Sequence, residues 1–277
     1  MPLKTAAKTN HIASRSHAYP TILSLGSGGS RGVVMLGALS VLQQQEWLNH
    51  VTTFYGCSVG SIIATGMCLG IPCSTLKKRV AKHPILFNTP PEHLLRNSAK
   101  FGLHDPQCLS QFIKKVTRVG KRTFQELFQQ TQKHLIVVVC NVSTGHIEHW
   151  DYRSHPDTKV SVALKLSCHI PFVFTHGRHQ GHLYVDGGVG EPIPHTSNAM
   201  STLAISFHDR IDEPIESIVD YTRSMIRAAT KMQPVRWHLR LEAGDLSPFQ
   251  FDMDPDTVQN AYTLGRRQGS LFCKKNS

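Results

Sequence analysis

Twice within its first 70 residues the chain runs from a short β-rich stretch into a glycine and serine turn and straight on into an apolar, helix-like segment. Pro20 to Gly26 (PTILSLG) leads through SGGSRG into VVMLGALSVLQQQEW, and Val51 to Tyr55 (VTTFY) leads through GCSVG into SIIATGMCLG, which Gly70, Ile71 and Pro72 stop. A strand followed at once by a helix cannot pair with its neighbour through a hairpin, so successive strands lie parallel in a sheet covered on both faces. His134 to Val142 (HLIVVVCNV) fits such a sheet, being an apolar β-branched run without polar alternation. The expected fold is therefore an α/β three-layer α/β/α sandwich with a mainly parallel central sheet.

Further strands are expected at Leu183 to Asp186, Leu203 to Phe207 and Val235 to Leu241, and helices at Val160 to Cys168, Ile215 to Ala229 and Pro255 to Gln268. Between residues 72 and 132 the signals are mainly helical. Ser74 can cap a helix through Lys82, Asp105-Pro106 can start one running to Val119, and Thr123 with Glu126 has the spacing of a capping box. This segment is expected to be a basic helical insertion or lid. The 277 residues, 40% of them hydrophobic, suffice for one large domain over residues 19–277, with residues 1–18 as a flexible basic tail.

No apolar run approaches the ~20 residues of a membrane-spanning helix. The N-terminal stretch lacks the apolar core of a secretory signal, and the seven cysteines include no CxxC pair, so reduced thiols and a cytoplasmic location are expected. The formal net charge is +11, and residues 1–122 hold 15 Lys and Arg against only Glu46, Glu92 and Asp105. The cations cluster at Lys77, Lys78, Arg79 and Lys82 and at Lys114, Lys115, Arg118, Lys121 and Arg122. Such clusters attract nucleic acid, anionic lipid or an acidic partner, or form a solvated helix face, and charge alone does not choose among these.

Gly56-Cys57-Ser58-Val59-Gly60 matches G-x-S-x-G between a strand and a helix, the sharp turn that presents a serine hydroxyl at a helix N-terminus. The loop Gly26 to Gly32 offers consecutive unobstructed backbone N–H groups, fit for a phosphate or for an oxyanion. A dinucleotide site built on Gly26, Gly28 and Gly32 would need an acid at the end of the second strand. The serine turn takes that place, and Glu46 falls near the end of the helix instead. A phosphate-binding P-loop fails because no Gly-Lys-Ser/Thr follows. Asp186-Gly187-Gly188 brings a carboxylate off a strand end into a flexible turn, where it can serve a nearby serine as general base.

Together these three pieces resemble the patatin-like phospholipase family. Ser27-Gly28-Gly29-Ser30-Arg31-Gly32 is similar to its oxyanion loop, with Ser27 where the family usually has the first glycine; Gly56 to Gly60 matches its nucleophile elbow, and Asp186-Gly187-Gly188 its Asp-Gly-Gly/Ala motif. The stretch from Ser167 through Ile170-Pro171-Phe172 to Gly188 is similar to the segment that leads into the family's aspartate. The resemblance implies a lipid acyl hydrolase working through a Ser58–Asp186 dyad. In it, the loop Gly28, Gly29, Ser30 and Arg31 forms the oxyanion hole, Gly28 and Gly29 supply the amides, and Gly32, Gly56, Gly60, Gly187 and Gly188 shape the turns. No metal or cofactor is implied, and no HExxH pattern suggests a metal. The implied partners are a phospholipid or other acyl-ester lipid and, through the basic clusters, an anionic membrane rather than nucleic acid.

Two alternatives stand beside this expectation. One is an α/β-hydrolase esterase whose triad is completed by a downstream histidine such as His195 or His208, although such enzymes usually build several strands before the elbow. The other is an inactive patatin-like protein that binds membranes or nucleic acid through its basic face.

Overall fold

The computed structural model describes residues 19–87, 89–208, 215, 218–230 and 232–276; the expected tail, residues 1–18, lies outside them. The chain opens with β1 (Ile22–Leu25), α1 (Gly32–Gln44), β2 (Thr53–Cys57) and α2 (Val59–Cys68), the two strand–turn–helix units seen in the sequence. It continues through α3 (Cys73–Lys82), α4 (Pro91–Ser98), β3 (Gly102–His104), α5 (Gln107–Thr117) and α6 (Phe124–Thr131) to β4 (His134–Asn141) and β5 (His146–Trp150). Then follow α7 (Val160–Ser167), β6 (Phe172–Phe174), β7 (Gly177–His179), β8 (His182–Asp186), β9 (Thr202–Phe207), α8 (Ile218–Ala229), β10 (Trp237–Leu241) and α9 (Pro255–Asn276).

The central sheet has the order β10-β9-β1-β2-β4-β8-β7, with β5 on β4; β10 through β4 run parallel. Side chains of β1, β2, β4, β9 and β10 alternate between its faces. Leu23, Leu25, Phe54, Val137, Val139, Leu203 and Ile205 enter the main core, where α1, α2, α3, α5, α7 and α9 contribute. On the opposite face Ile22, Tyr55 and Ile136 form a small cluster. That face is covered more thinly. Ser24 Oγ donates to the Pro194 carbonyl, the Ser197 N–H donates to the Tyr55 hydroxyl, and Thr222 and Ile226 of α8 share a cleft with Ser206.

β4 decides where the candidate site residues go. One of its edges pairs in parallel with β2 over residues 134–138 and then antiparallel with β8 over residues 139–141, while β5 takes the other edge. Cys57 lies opposite Val138 and Asp186 opposite Val139, so two strands far apart in sequence end head to head on neighbouring positions. The residues at their ends, Ser58 and Asp186, are brought together by this register.

The expected elements recur with shifted ends. The Thr123–Glu126 capping box forms, with Glu126 N–H donating to Thr123 Oγ1 at 3.2 Å and Thr123 N–H to Glu126 Oε2 at 2.9 Å. Ser74 does not cap α3, which starts at Cys73 behind Pro72 without a side-chain cap. At α5, Asp105 Oδ1 accepts from Gln107 N–H at 2.7 Å, with Pro106 in the cap position. In α3 and α5 the apolar residues Leu76, Leu109, Ile113 and Val116 join the main core. All seven cysteines are free, and every one but Cys108 is buried. No helix among the described residues is long and apolar enough to cross a membrane.

Candidate active site

Ser58 sits between the last residue of β2 and the first of α2, with φ 53° and ψ −128°. A left-handed backbone at a non-glycine residue is strained and persists only where its surroundings fix it. Here the fixing is visible on both sides. α2 starts hard against the end of β1, so close that a side chain at Gly60 would strike the Leu25 and Gly26 carbonyls. Ser61 then ties the turn from within, its N–H and hydroxyl both donating to the Ser58 carbonyl, at 2.9 and 2.6 Å.

A third tie comes from across the fold. The Ser58 N–H donates to Ser167 Oγ at 2.9 Å, and the Ser167 hydroxyl donates to the Val138 carbonyl at 2.6 Å. Ser167, fully buried at the end of α7, thus bridges the elbow to β4 at the junction of β2 and β8. Sequence reasoning gave it no role beyond membership in the stretch leading to Asp186. The missing information is the register, because the acceptor is a strand carbonyl 29 residues away.

The Ser58 hydroxyl donates to Asp186 Oδ2 at 2.6 Å, and Asp186 Oδ1 accepts from the Gly188 N–H at 2.7 Å. The Asp186 backbone is held by its own N–H bond to the His169 carbonyl at 2.8 Å. Burial pushes the Asp186 carboxyl up from the usual carboxylate range to about 6, against the opposing pull of the bonds from Ser58 and Gly188. Such a carboxylate is ionised at neutral pH and basic enough to accept a proton. Cys57 and Cys168 lie close by, but burial drives both thiols well above their usual range, which keeps them protonated and inert.

The glycine loop closes over the same point. Gly29 to Arg31 form a single 3-10 turn, entered through Gly29 at φ 56°, where a side chain would collide with the Pro248 carbonyl. Ser27 N–H donates to the Pro192 carbonyl, Ser30 N–H to Pro248 and Arg31 N–H to Gly28, whereas the Gly28 and Gly29 N–H groups donate to no described residue. Arg31 braces the loop: its Nε donates to the Gly28 carbonyl at 3.4 Å and its guanidinium lies 4.8 Å from the Phe207 ring centre.

Among the described residues, two cavities open on Ser58. One runs into the core between α1, α2, α3 and α5; apart from Ser30 and Ser58 its walls are apolar, among them Ile62, Leu76, Val80, Phe112 and Val116. The other is a wider cleft that also contains Asp186, Gly28, Gly29 and Arg31 and is bounded by Ile226 and Phe249. No histidine among the described residues lines either space. His195 lies beside Glu191, whose carboxylate also accepts its N–H, and His208 follows β9 with its N–H on the Leu241 carbonyl. Glu46 lies in the turn beyond α1. The constellation can present an activated hydroxyl, a buried base, two open amides and an apolar slot to a single substrate.

Three comparisons bear on this arrangement. The family model described as patatin-like phospholipase matches residues 23–198. A protein of invertebrate iridescent virus 6 named a probable lipid hydrolase, 463L, is 25% identical over 271 residues, covering 93% of this chain and 90% of its own. Among solved structures, VipD of Legionella pneumophila superposes with a TM-score of 0.62 at 14% identity, over 93% of this chain and 67% of that one. ExoU of Pseudomonas aeruginosa, in its complex with SpcU, gives 0.50 at 15% identity, and the match spans 52% of that chain.

Proposed function

The chain belongs to the patatin-like phospholipase family, and on that premise we propose that it is a serine-dependent lipid acyl hydrolase with Ser58 as nucleophile and Asp186 as general base. The observation that carries the proposal is the 2.6 Å hydrogen bond from the Ser58 hydroxyl to a buried carboxylate held at about pKa 6. As Oγ attacks the ester carbonyl carbon, its proton passes to Asp186 Oδ2, and the carbonyl oxygen becomes an oxyanion received by the Gly28 and Gly29 N–H groups. Collapse expels the alcohol, which takes the proton from Asp186 and leaves the acyl group on Ser58. Water then attacks with Asp186 again accepting the proton, releasing the carboxylic acid and restoring the serine.

The two cavities divide the substrate. The narrow one suits an acyl chain because its walls are apolar almost throughout. The wider cleft suits the alcohol side, glycerol with or without a headgroup. In this account the 72–132 segment belongs to the catalytic domain, with α3 and α5 supplying a wall of the acyl cavity. The cations on those helices, Lys78 and Lys82 with Lys114 and Lys115, and Arg118 just past α5, draw the protein toward anionic membrane surfaces.

The test is lipid-product mass spectrometry on phospholipid and triacylglycerol substrates, wild type beside Ser58→Ala. Free fatty acid and the matching lyso or deacylated product should accumulate with the wild type alone. Equal release by Ser58→Ala would place the chemistry elsewhere.

A further inference from the structure

β3 and β6 pair as a two-stranded ribbon apart from the main sheet, with Phe101 just before β3 and Phe172 opening β6. Both are in left-handed backbone, Phe101 at φ 61° and Phe172 at φ 67°, a conformation that bulky side chains rarely adopt. Both also face outward, 64% and 40% exposed. Leu103, 46% exposed, and Ile218 at the start of α8, 59% exposed, join them around an apolar groove. Tyr221 and Met225 continue the exposed apolar stripe of α8 at i+3 and i+7 from Ile218. The groove adjoins the site: Phe249 is shared with the wide cleft at Ser58 and Phe251 with the acyl cavity.

Cations border this surface. The His176 N–H and Nδ1 both bond the Lys100 carbonyl, Arg178 Nε donates to His176 Nε2 at 3.2 Å, and the Phe101 ring lies 5.7 Å from the His176 ring. Lys100 and Arg178 are both exposed. Aromatic and aliphatic side chains that project beside a cationic fringe suit a layer with an apolar interior and anionic headgroups. A second copy fits less well, since a two-fold contact through this patch would set Lys100 and Arg178 close to the same cations of the other chain.

We propose that Phe101, Leu103, Phe172 and Ile218, flanked by Lys100 and Arg178, dock the chain on an anionic lipid surface and so press the mouth of the catalytic cleft against the lipid. The proposal rests on the site being a lipid acyl hydrolase, but its test does not depend on turnover. Partitioning onto vesicles of phosphatidylcholine with roughly a third phosphatidylserine is measured by sedimentation in the Ser58→Ala background, at low and high salt. Phe101→Ser/Leu103→Ser should weaken partitioning about ten-fold or more. Lys100→Glu/Arg178→Glu should cut the preference for phosphatidylserine over pure phosphatidylcholine about five-fold or more, the remainder coming from the cations of α3 and α5. With Ser58 restored, both pairs should hydrolyse a soluble short-chain ester at the wild-type rate.

Partitioning unchanged by Lys100→Glu/Arg178→Glu overturns the proposal whatever the apolar pair does to folding. So does a dimer in light scattering that Phe101→Ser/Leu103→Ser dissociates while vesicle binding persists. Absence of ester hydrolysis by the wild type would instead sink the enzymatic premise and leave the binding result standing.

Discussion

A base that works at neutral pH and a stable buried carboxylate make opposite demands, and Asp186, as the proposed base, meets the first at the expense of the second. Its folded pKa, about 6, lies above the ~3.9 of an unfolded aspartate, so folding favours the protonated form. The stability linked to that preference is fully present below about pH 4 and is lost as pH rises through 6; at neutral pH the ionised group costs the fold roughly 2–3 kcal/mol. Asp186→Asn should therefore stabilise the protein at pH 7.5 by about 1–3 kcal/mol in chemical denaturation while ester turnover falls by about a thousand-fold or more. In the wild type, kcat/KM should rise with pH through an inflection near 6, because only the ionised carboxylate can take the serine proton. An inflection near 4 would contradict the burial argument. Ser58 and Asp186 were legible in the sequence because each sits in a turn whose glycines have a steric reason. Ser167 was not legible, since its hydroxyl matters only once β2 and β8 meet on β4. Ser167→Ala should lower kcat about ten-fold with KM little changed, and should cost about 1–3 kcal/mol for the buried groups left unpaired.

At the scale of elements, the strands and helices with strong apolar patterns were legible, and the weakly patterned ones were not. β1, β2, β4, β8, β9 and β10 fall where apolar runs predicted strands. β5, with sequence HIEHW, was missed because its polar residues find partners that only the folded sheet supplies: Glu148 accepts from Asn141 of β4 and Tyr184 of β8 as well as from Trp150. β3, β6 and β7 are three residues each, too short for any periodicity to register. α3 and α5 looked like a basic insertion because their charges dominate the sequence, yet their apolar sides face the cavity that starts at Ser58. A bulkier residue on that wall should shorten the chain that fits. Val80→Phe should lower kcat/KM for long-chain acyl esters by about ten-fold and leave a butyryl ester nearly unaffected, measured as a chain-length series. Equal effects on both would place the acyl chain elsewhere.

For the whole molecule, the sheet gathers the proposed catalytic parts from distant places in the chain: the glycine loop after β1, Ser58 after β2 and Asp186 at the end of β8. The parallel run of β1 and β2 follows from the strand–turn–helix pattern, whereas the antiparallel approach of β8 does not, and it is β8 that brings Asp186 to Ser58. The uneven charge belongs to the same scale, since the acid-poor first 122 residues hold the glycine loop, Ser58 and the α3 and α5 wall. The central claim is that Ser58 is a nucleophile made reactive by Asp186. Treatment with a fluorophosphonate followed by peptide mass spectrometry tests it most directly. The account predicts one covalent adduct, on the peptide containing Ser58, absent in Ser58→Ala and formed at least about a hundred-fold more slowly in Asp186→Asn. Labelling of Ser58 at an undiminished rate in folded Asp186→Asn, or an ester-hydrolysing wild type that carries no adduct at Ser58, would contradict it.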